Sequence, residues 1–502
     1  MNQYLLLPRD SNQALGIGKY AIDFLAGAFG EVDPEPLKRT EQFFVDSIGC
    51  AIAALGIKAN APLVLRQEAM YYPMQPPLGV PVLGSQSTVA AEKAVLADSS
   101  AARELDSNGT NFGYNPRTGS CRGEFGHNDF YPVCVAGAMQ KGLDGAKLLR
   151  AMLCLDEIRG RLAEVFGLKD YKIDHVLHGG IASAAVYGAL VGATAEQIES
   201  AIGQLVAHHV PFRAIRHGHQ LSDSKGASAA ITAEMAVTAV RRAMRGFIGP
   251  ADIFRNPQAI FCLFEKPQQP GESPFDLPLS TTGNDFAIMG MHFKLGLYEH
   301  QSAGAIHGLI QLLAAHPALM DDPAAISNIR ITIYEPAWSI IGDPHKRNPQ
   351  TRQSADHSMV YIISTILRKA CETKAASWSD LMLLPADYAD DVLNHPVTRS
   401  LMERIEFVHG GPEYDSKYPD GIPTTIEITH DVLGNFSSGM VLYPDGHARG
   451  DAAQLSKILD EKFRRLASLG VANVDALLTR VSNLGSKSAD QIRSLYDFEL
   501  LT

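Results

Sequence analysis

Two stretches limit the architecture of this chain more than any other feature. Residues 181–191 (IASAAVYGALV) and 227–244 (ASAAITAEMAVTAVRRAM) carry apolar residues at helical spacing with a high density of alanine and glycine. Small side chains let helix axes approach closely, so both segments belong at the centre of a helical bundle. Other helices are expected around them. Residues 36–55 repeat Phe43, Phe44, Ile48, Ala51 and Ile52 at the helical period, and residues 89–105 and 133–150 are Ala-rich. The first half of the chain therefore reads as mainly α.

The pattern changes near residue 280. Residues 329–334 (IRITIY) and 424–429 (TTIEIT) alternate as strands do. Helical patterns at 302–315, 357–369 and 398–408 accompany them. The tail returns to helix in QLSKILDEKFRRLASL and VDALLTRVSNL. At 502 residues the chain is too long for one simple core. The expected organisation is an all-helical domain over 1–280, an α+β domain over 281–447, and C-terminal helices over 448–502 that return to the helical domain.

Charge narrows the partners. The formal net charge of −11 argues against nucleic acid or an anionic membrane. A small anion remains possible wherever Lys, Arg and His gather in one cleft. The six cysteines are scattered with no CxxC, so free thiols are expected and nothing seeds an iron–sulfur cluster. The opening residues lack a signal-peptide layout, and no 18-residue apolar stretch is free of charge. A cytoplasmic protein with no transmembrane helix is the expectation. GxxxxGK[ST], GxGxxG after a strand and G-x-S-x-G are absent as well.

Four polar clusters interrupt the apolar pattern. The first is the loop ELDSNGTNFG…GEFGHNDFYPV, with Asp106, Thr110, His127, Asn128 and Asp129. Turns and an N-cap would account for its Asn, Asp and Gly residues, but loops of that length within a compact domain usually serve a function. The second is DHVLHGG, where His175 and His178 precede a helix start whose amides and dipole favour anions. They are either packed, capping histidines or an acid and a base working near neutral pH. Histidines three apart without HExxH make zinc a poor reading.

The third cluster, FRAIRHGHQLSDSKG, concentrates Arg213, Arg216, His217, His219 and Lys225. A solvated basic loop is the ordinary reading. Its flanking apolar helices instead place it at the edge of a core, where cations need an anionic partner. The fourth, MHFKLGLYEHQS, sets Lys294 and His300 at the domain junction, where ligand clefts form. Asp356-His357, before another helix, reads as an N-cap.

Together the four clusters, with IDHVLHGGIASAAV, FRAIRHGHQLSDSKGASAA, HFKLGLYEHQSA and ADHSMVYIIS, resemble the MmgE/PrpD family, which holds 2-methylcitrate dehydratases and cis-aconitate decarboxylases. The similarity runs from DSIGCAIAA to YPDGHARG and is greatest toward the 2-methylcitrate dehydratase branch. It implies a large all-helical domain joined to a smaller α+β domain, a homodimer, and a metal-free and cofactor-free active site in the cleft between the domains. Asp106 and Thr110 match the family's Asp-x-x-x-Thr, His127 the following histidine, and His175 (or His178) the histidine before the small-residue helix. Lys225 matches a helix-start lysine, and Lys294 and His300 a later Lys/His pair. The Thr110–His127 loop is longer than is usual, and the Lys294–His300 spacing differs.

The implied reaction is loss of water from a small polycarboxylate, most simply 2-methylcitrate to 2-methyl-cis-aconitate. Histidines 175 (or 178) and 300 would move protons, with Asp106 and His127 beside them. Lys225, Lys294, Arg216 and Thr110 would bind the substrate. Decarboxylation or α-carbon epimerisation could use the same residues, and a silent carboxylate-binding relative is the non-catalytic alternative.

Overall fold

The computed structural model describes residues 3–501 except 112, 116–118, 124, 127, 217–220 and 343; the side chains of 120, 121, 125, 216 and 344 also lie outside the description. The two small-residue segments form the helices Val176–Val191 and Asp223–Ala243, which pack on each other. Nearly every residue of Val176–Val191 is buried, which explains why it is apolar all round. Ala91–Glu104 packs on Asp223–Ala243, and Pro34–Gly56 packs on Ala91–Glu104 in turn. The chain is mainly α with a smaller α+β part, as the pattern predicts.

The α+β part is built on a four-stranded sheet. Its order is Ile405–His409, Ile326–Ile333, Thr424–His430, Gly434–Ser437, with the first pair parallel and the others antiparallel. In Ile326–Ile333, Ile331 stands opposite both Phe407 and Ile426. Thr424, Ile426, Ile428 and His430 are buried alternately, the period expected of a sheet with one covered face. The helix Ala303–Ala315 covers that face, and Met359–Thr373 packs on it.

Two of the expected helices are divided. Residues 133–150 break into Tyr131–Lys141 and Gly145–Val165. Gly142 takes the left-handed conformation at φ 60°, and the Asp144 side chain caps the next helix through the Lys147 amide. Residues 398–408 divide into a helix, Pro396–Glu403, and the strand Ile405–His409, because IEFVH finds a sheet edge to join.

After the sheet the chain returns to the helices. Ala452–Ala467 lies on Pro34–Gly56, and Tyr4–Leu7 pairs antiparallel with Leu277–Ser280. No single described helix is long and apolar enough to cross a membrane. Pro34–Gly56 and Asn60–Met70 meet that test only jointly, across a 91° bend.

Candidate functional site

The Ala91–Glu104 helix ends as Leu105 turns extended, and the next residue, Asp106, is buried among cations. Its Oδ1 accepts from Lys294 Nζ at 2.7 Å and from Arg103 Nη1 at 3.3 Å. Its Oδ2 lies 3.2 Å from His357 Nε2. Burial alone would push the Asp106 carboxyl up, but Lys294, Lys225, His357 and Arg103 together hold it well below the usual carboxylate range. A buried carboxylate is therefore ionised and shared between two polar walls.

His357 joins those walls. Its Nδ1 bonds Asp356 and lies 3.5 Å from Lys225 Nζ. Burial and Lys225 lower its pKa, while Asp106 and Asp356 pull the other way. One-fifth of its side chain is open to solvent, whereas Asp106, Lys225 and Lys294 are buried. Asp356 is held by Arg352 at 3.4 Å, and Arg352 also pairs with buried Glu104. Glu104 in turn explains how Lys225 comes so close. A Cβ on Gly226 would sit 2.7 Å from Glu104 Oε2, so glycine lets the Asp223–Ala243 helix begin against that carboxylate.

The 291–300 segment forms the third wall. His292 and Thr110 exchange backbone hydrogen bonds of 2.8 and 3.0 Å, and the Tyr298 amide donates to the Asp106 carbonyl at 3.1 Å. These bonds carry Lys294 to Asp106. The His300 ring stacks on His292 with centroids 5.2 Å apart, and His292 lies 4.2 Å from His447. Burial, reinforced by Lys294 and His447, holds His300 well below the ordinary imidazole value, and burial pushes His447 down to about 4. These rings are neutral near pH 7 and able to accept a proton. Glu299 Oε1 accepts from the Gln301 amide at 3.1 Å, capping the His300–Ser302 turn. Burial pushes the Glu299 carboxyl up to about 7 against the pull of Lys346.

The sequence candidates thus separate into groups. Asp106, Lys294 and Lys225 meet around His357, and His300 stands beside Lys294. Thr110 is joined to this wall by its backbone. His175 is close by: its Nε2 accepts from the Gly126 amide at 3.4 Å, and a Cβ on Gly126 would lie 3.4 Å from Arg103 Nε. His178 lies one turn on in the Val176–Val191 helix. It is buried in the helical core near Arg159, and burial followed by that cation pushes it down to about 3. His127 and the Arg216 side chain lie outside the described residues.

Sequence reasoning missed Arg103, Asp356, His357, Glu299 and His447. The Asp356-His357 pair is not a cap, since Ser358 caps Met359–Thr373 through the Tyr361 amide. The missed signal was the position of two ionisable residues just before an apolar helix whose cap they do not provide. Asp106, Asp356 and His357 also offer donor atoms within 4.8 Å of one another, as a metal site would. Here Lys294 already bonds Asp106, and Lys225 stands against His357.

Two family patterns match this chain. The MmgE/PrpD N-terminal domain covers residues 24–273 and the MmgE/PrpD C-terminal domain covers residues 299–484. The chain belongs to the MmgE/PrpD family. Curated relatives include 2-methylcitrate dehydratase from Salmonella typhi, 25% identical over 436 residues (84% of this chain, 83% of the relative). The 2-methylcitrate dehydratase of Escherichia coli strain K12 is 24% identical over 434 residues, with the same coverage. A probable 2-methylcitrate dehydratase of Saccharomyces cerevisiae is 23% identical over 423 residues, 80% of this chain and 76% of its own. The matched domains contain Asp106, Lys225, Asp356, His357 and His300, while His292 and Lys294 lie between them.

Proposed function

We propose that this MmgE/PrpD chain is a carbon–oxygen hydro-lyase that dehydrates a small hydroxy-polycarboxylate, 2-methylcitrate first among them, to the unsaturated acid. The observation that carries the reading is the ionised Asp106 carboxylate buried between Lys294, Lys225 and His357. Its support from outside is the name shared by relatives that align with 84% of the chain.

Elimination breaks a C–H bond beside a carboxylate and a C–O bond on the neighbouring carbon, leaving a C=C bond and water. The C–H proton is weakly acidic, so charge building on that carboxylate must be met by fixed cations. Lys225 and Lys294 serve this role, bound to substrate carboxylates. His300, neutral and beside Lys294, takes the carbon-bound proton. His357, whose protonated form Asp106 and Asp356 favour against burial and Lys225, delivers its proton to the departing hydroxide to make water, and the proton held by His300 returns to His357 through solvent after product leaves. A positioned acid and base contribute roughly 10²–10⁴-fold each. His175 lines the Arg103 side of the cleft and orients the substrate. His178 has no part in proton transfer in this scheme, because it is buried in the helical core beside Arg159 rather than beside Lys294. The two lysines supply the positive charge a metal would otherwise bring, so the reaction is metal-free. A cytoplasmic homodimer belongs to the same proposal, on the likeness to the family.

The test is product analysis by NMR in deuterated water over a panel of di- and tricarboxylates, with EDTA-treated protein in parallel. Water loss from 2-methylcitrate, unchanged by EDTA, is expected. Release of CO₂, or exchange at the α-carbon without elimination, would refute the dehydratase reading. Loss of turnover with EDTA would refute the metal-free one.

A further inference from the structure

Lys462 lies on the Ala452–Ala467 helix, in a sequence (LDEKFRRL) that reads as a solvated amphipathic face. Yet its side chain is 0% exposed. An ammonium group has three protons to donate, and burying one is costly unless each finds an acceptor. Here each does. Nζ donates to Asp46 Oδ1 at 2.6 Å, to the Ser107 carbonyl at 2.6 Å and to the Lys294 carbonyl at 2.8 Å.

The choice of acceptors is informative. Joining the C-terminal helix to Pro34–Gly56 requires only the bond to Asp46, and an apolar pair would do that with less desolvation. The other two bonds leave the helices and end on the two catalytic segments. One acceptor is next to Asp106 in the chain, and the other belongs to Lys294 itself. We propose that Lys462 is a positioning residue for the reaction, fixing the register of Asp106 against Lys294 by pinning the carbonyls beside them. It touches neither substrate nor the reacting atoms. The role rests on the dehydratase reading for its kinetic consequence, while its structural consequence is independent of that reading.

The test compares three full-length variants. Lys462→Met/Asp46→Leu removes the buried pair as a unit, so the helix contact survives while both carbonyl bonds vanish. Asp46→Asn keeps Lys462 and both carbonyl bonds. Lys462→Arg keeps the charge and misplaces the donors; it is read in the same way if the double variant does not accumulate. The expected result is a double variant that melts within a few degrees of wild type. Its kcat falls at least tenfold while KM changes less than threefold, and Asp46→Asn stays within threefold of wild type in both. Hydrogen exchange at the Thr110, His292 and Tyr298 amides, which bridge the two segments, accelerates at least tenfold in the double variant. Exchange in Val176–Val191 is unchanged. A folded double variant with wild-type kcat and unchanged exchange would overturn the proposal, as would Asp46→Asn losing as much activity as the double variant. If wild type turns over no polycarboxylate, the dehydratase reading fails alone, and the exchange comparison still decides the positioning.

Discussion

Asp106→Asn tests the electrostatics of the site most directly. The substitution keeps size and shape but removes the charge that Lys294, Lys225 and Arg103 face. Breaking one side of a buried ion pair costs about 3–5 kcal/mol. With unfolding entropy of about 2.1 cal/mol/K per residue, a chain of this length loses roughly 1 °C of Tm per kcal/mol. A fall of about 3–5 °C at pH 7 is expected. The pH dependence fixes its origin. In wild type the depressed Asp106 carboxyl contributes stability that is complete above the unfolded value of about 3.9 and lost as pH falls through the folded one. It adds no slope between pH 7 and 9. The variant lacks that carboxyl, so its deficit stays level from pH 7 to 9. Differential scanning fluorimetry of both proteins at pH 7, 8 and 9 makes the measurement. A fall below 1 °C, or a deficit that grows with pH, would refute the reasoning.

His357→Gln should fold normally and lower kcat by about 10² or more, measured on 2-methylcitrate, because it removes one proton carrier. The carboxyl of Glu299, pushed up to about 7, gains a negative charge beside Lys294 as pH rises past that value. The KM for a polycarboxylate should therefore climb above pH 7 in wild type and stay flat in Glu299→Gln, as initial rates across pH 6–8.5 will tell. His178 and His447 are held neutral at about 3 and about 4. Between those values and the unfolded imidazole's roughly 6.5, the unfolded chain takes up protons the native one refuses, so each costs up to about 1.4 kcal/mol per unit of acidification. Melting curves from pH 7.5 to 4.5 should be less steep in His178→Leu, which should also retain turnover within threefold.

The helical centre and two of the strands were legible because their signals are local. Alanine-dense segments and the alternation in Ile326–Ile333 and Thr424–His430 need no distant partner to be read. Ile405–His409 was read as helix because a short strand at a sheet edge depends on the neighbour it joins, Ile326–Ile333. The site divides along the same line. Asp106, Lys225, Lys294 and His300 stand in unusual local settings and could be found. Arg103 is one more residue of an Ala-rich helix until Asp106 folds back on it. His357 looks like a capping neighbour until Asp106, far away in the chain, meets its Nε2. Burial was the least legible property: nothing in HVLHGG separates His175, near Arg103, from His178, sunk beside Arg159.

The chain passes between the helical body and the sheet-bearing part twice, near residues 291–300 on the way out and near 446–452 on the way back. The two crossings are not independent: the Phe293 amide donates to the Gly446 carbonyl at 2.8 Å, and the His292 and His447 rings lie against each other. Each crossing is thus bonded to the other as well as to its own part. Lys294 and His300 lie in the first crossing, whereas Asp106 and Lys225 come from the helical elements and His357 from the turn before Met359–Thr373. The Asp106–His357 contact therefore spans the two parts, while Lys294 reaches Asp106 from the crossing itself.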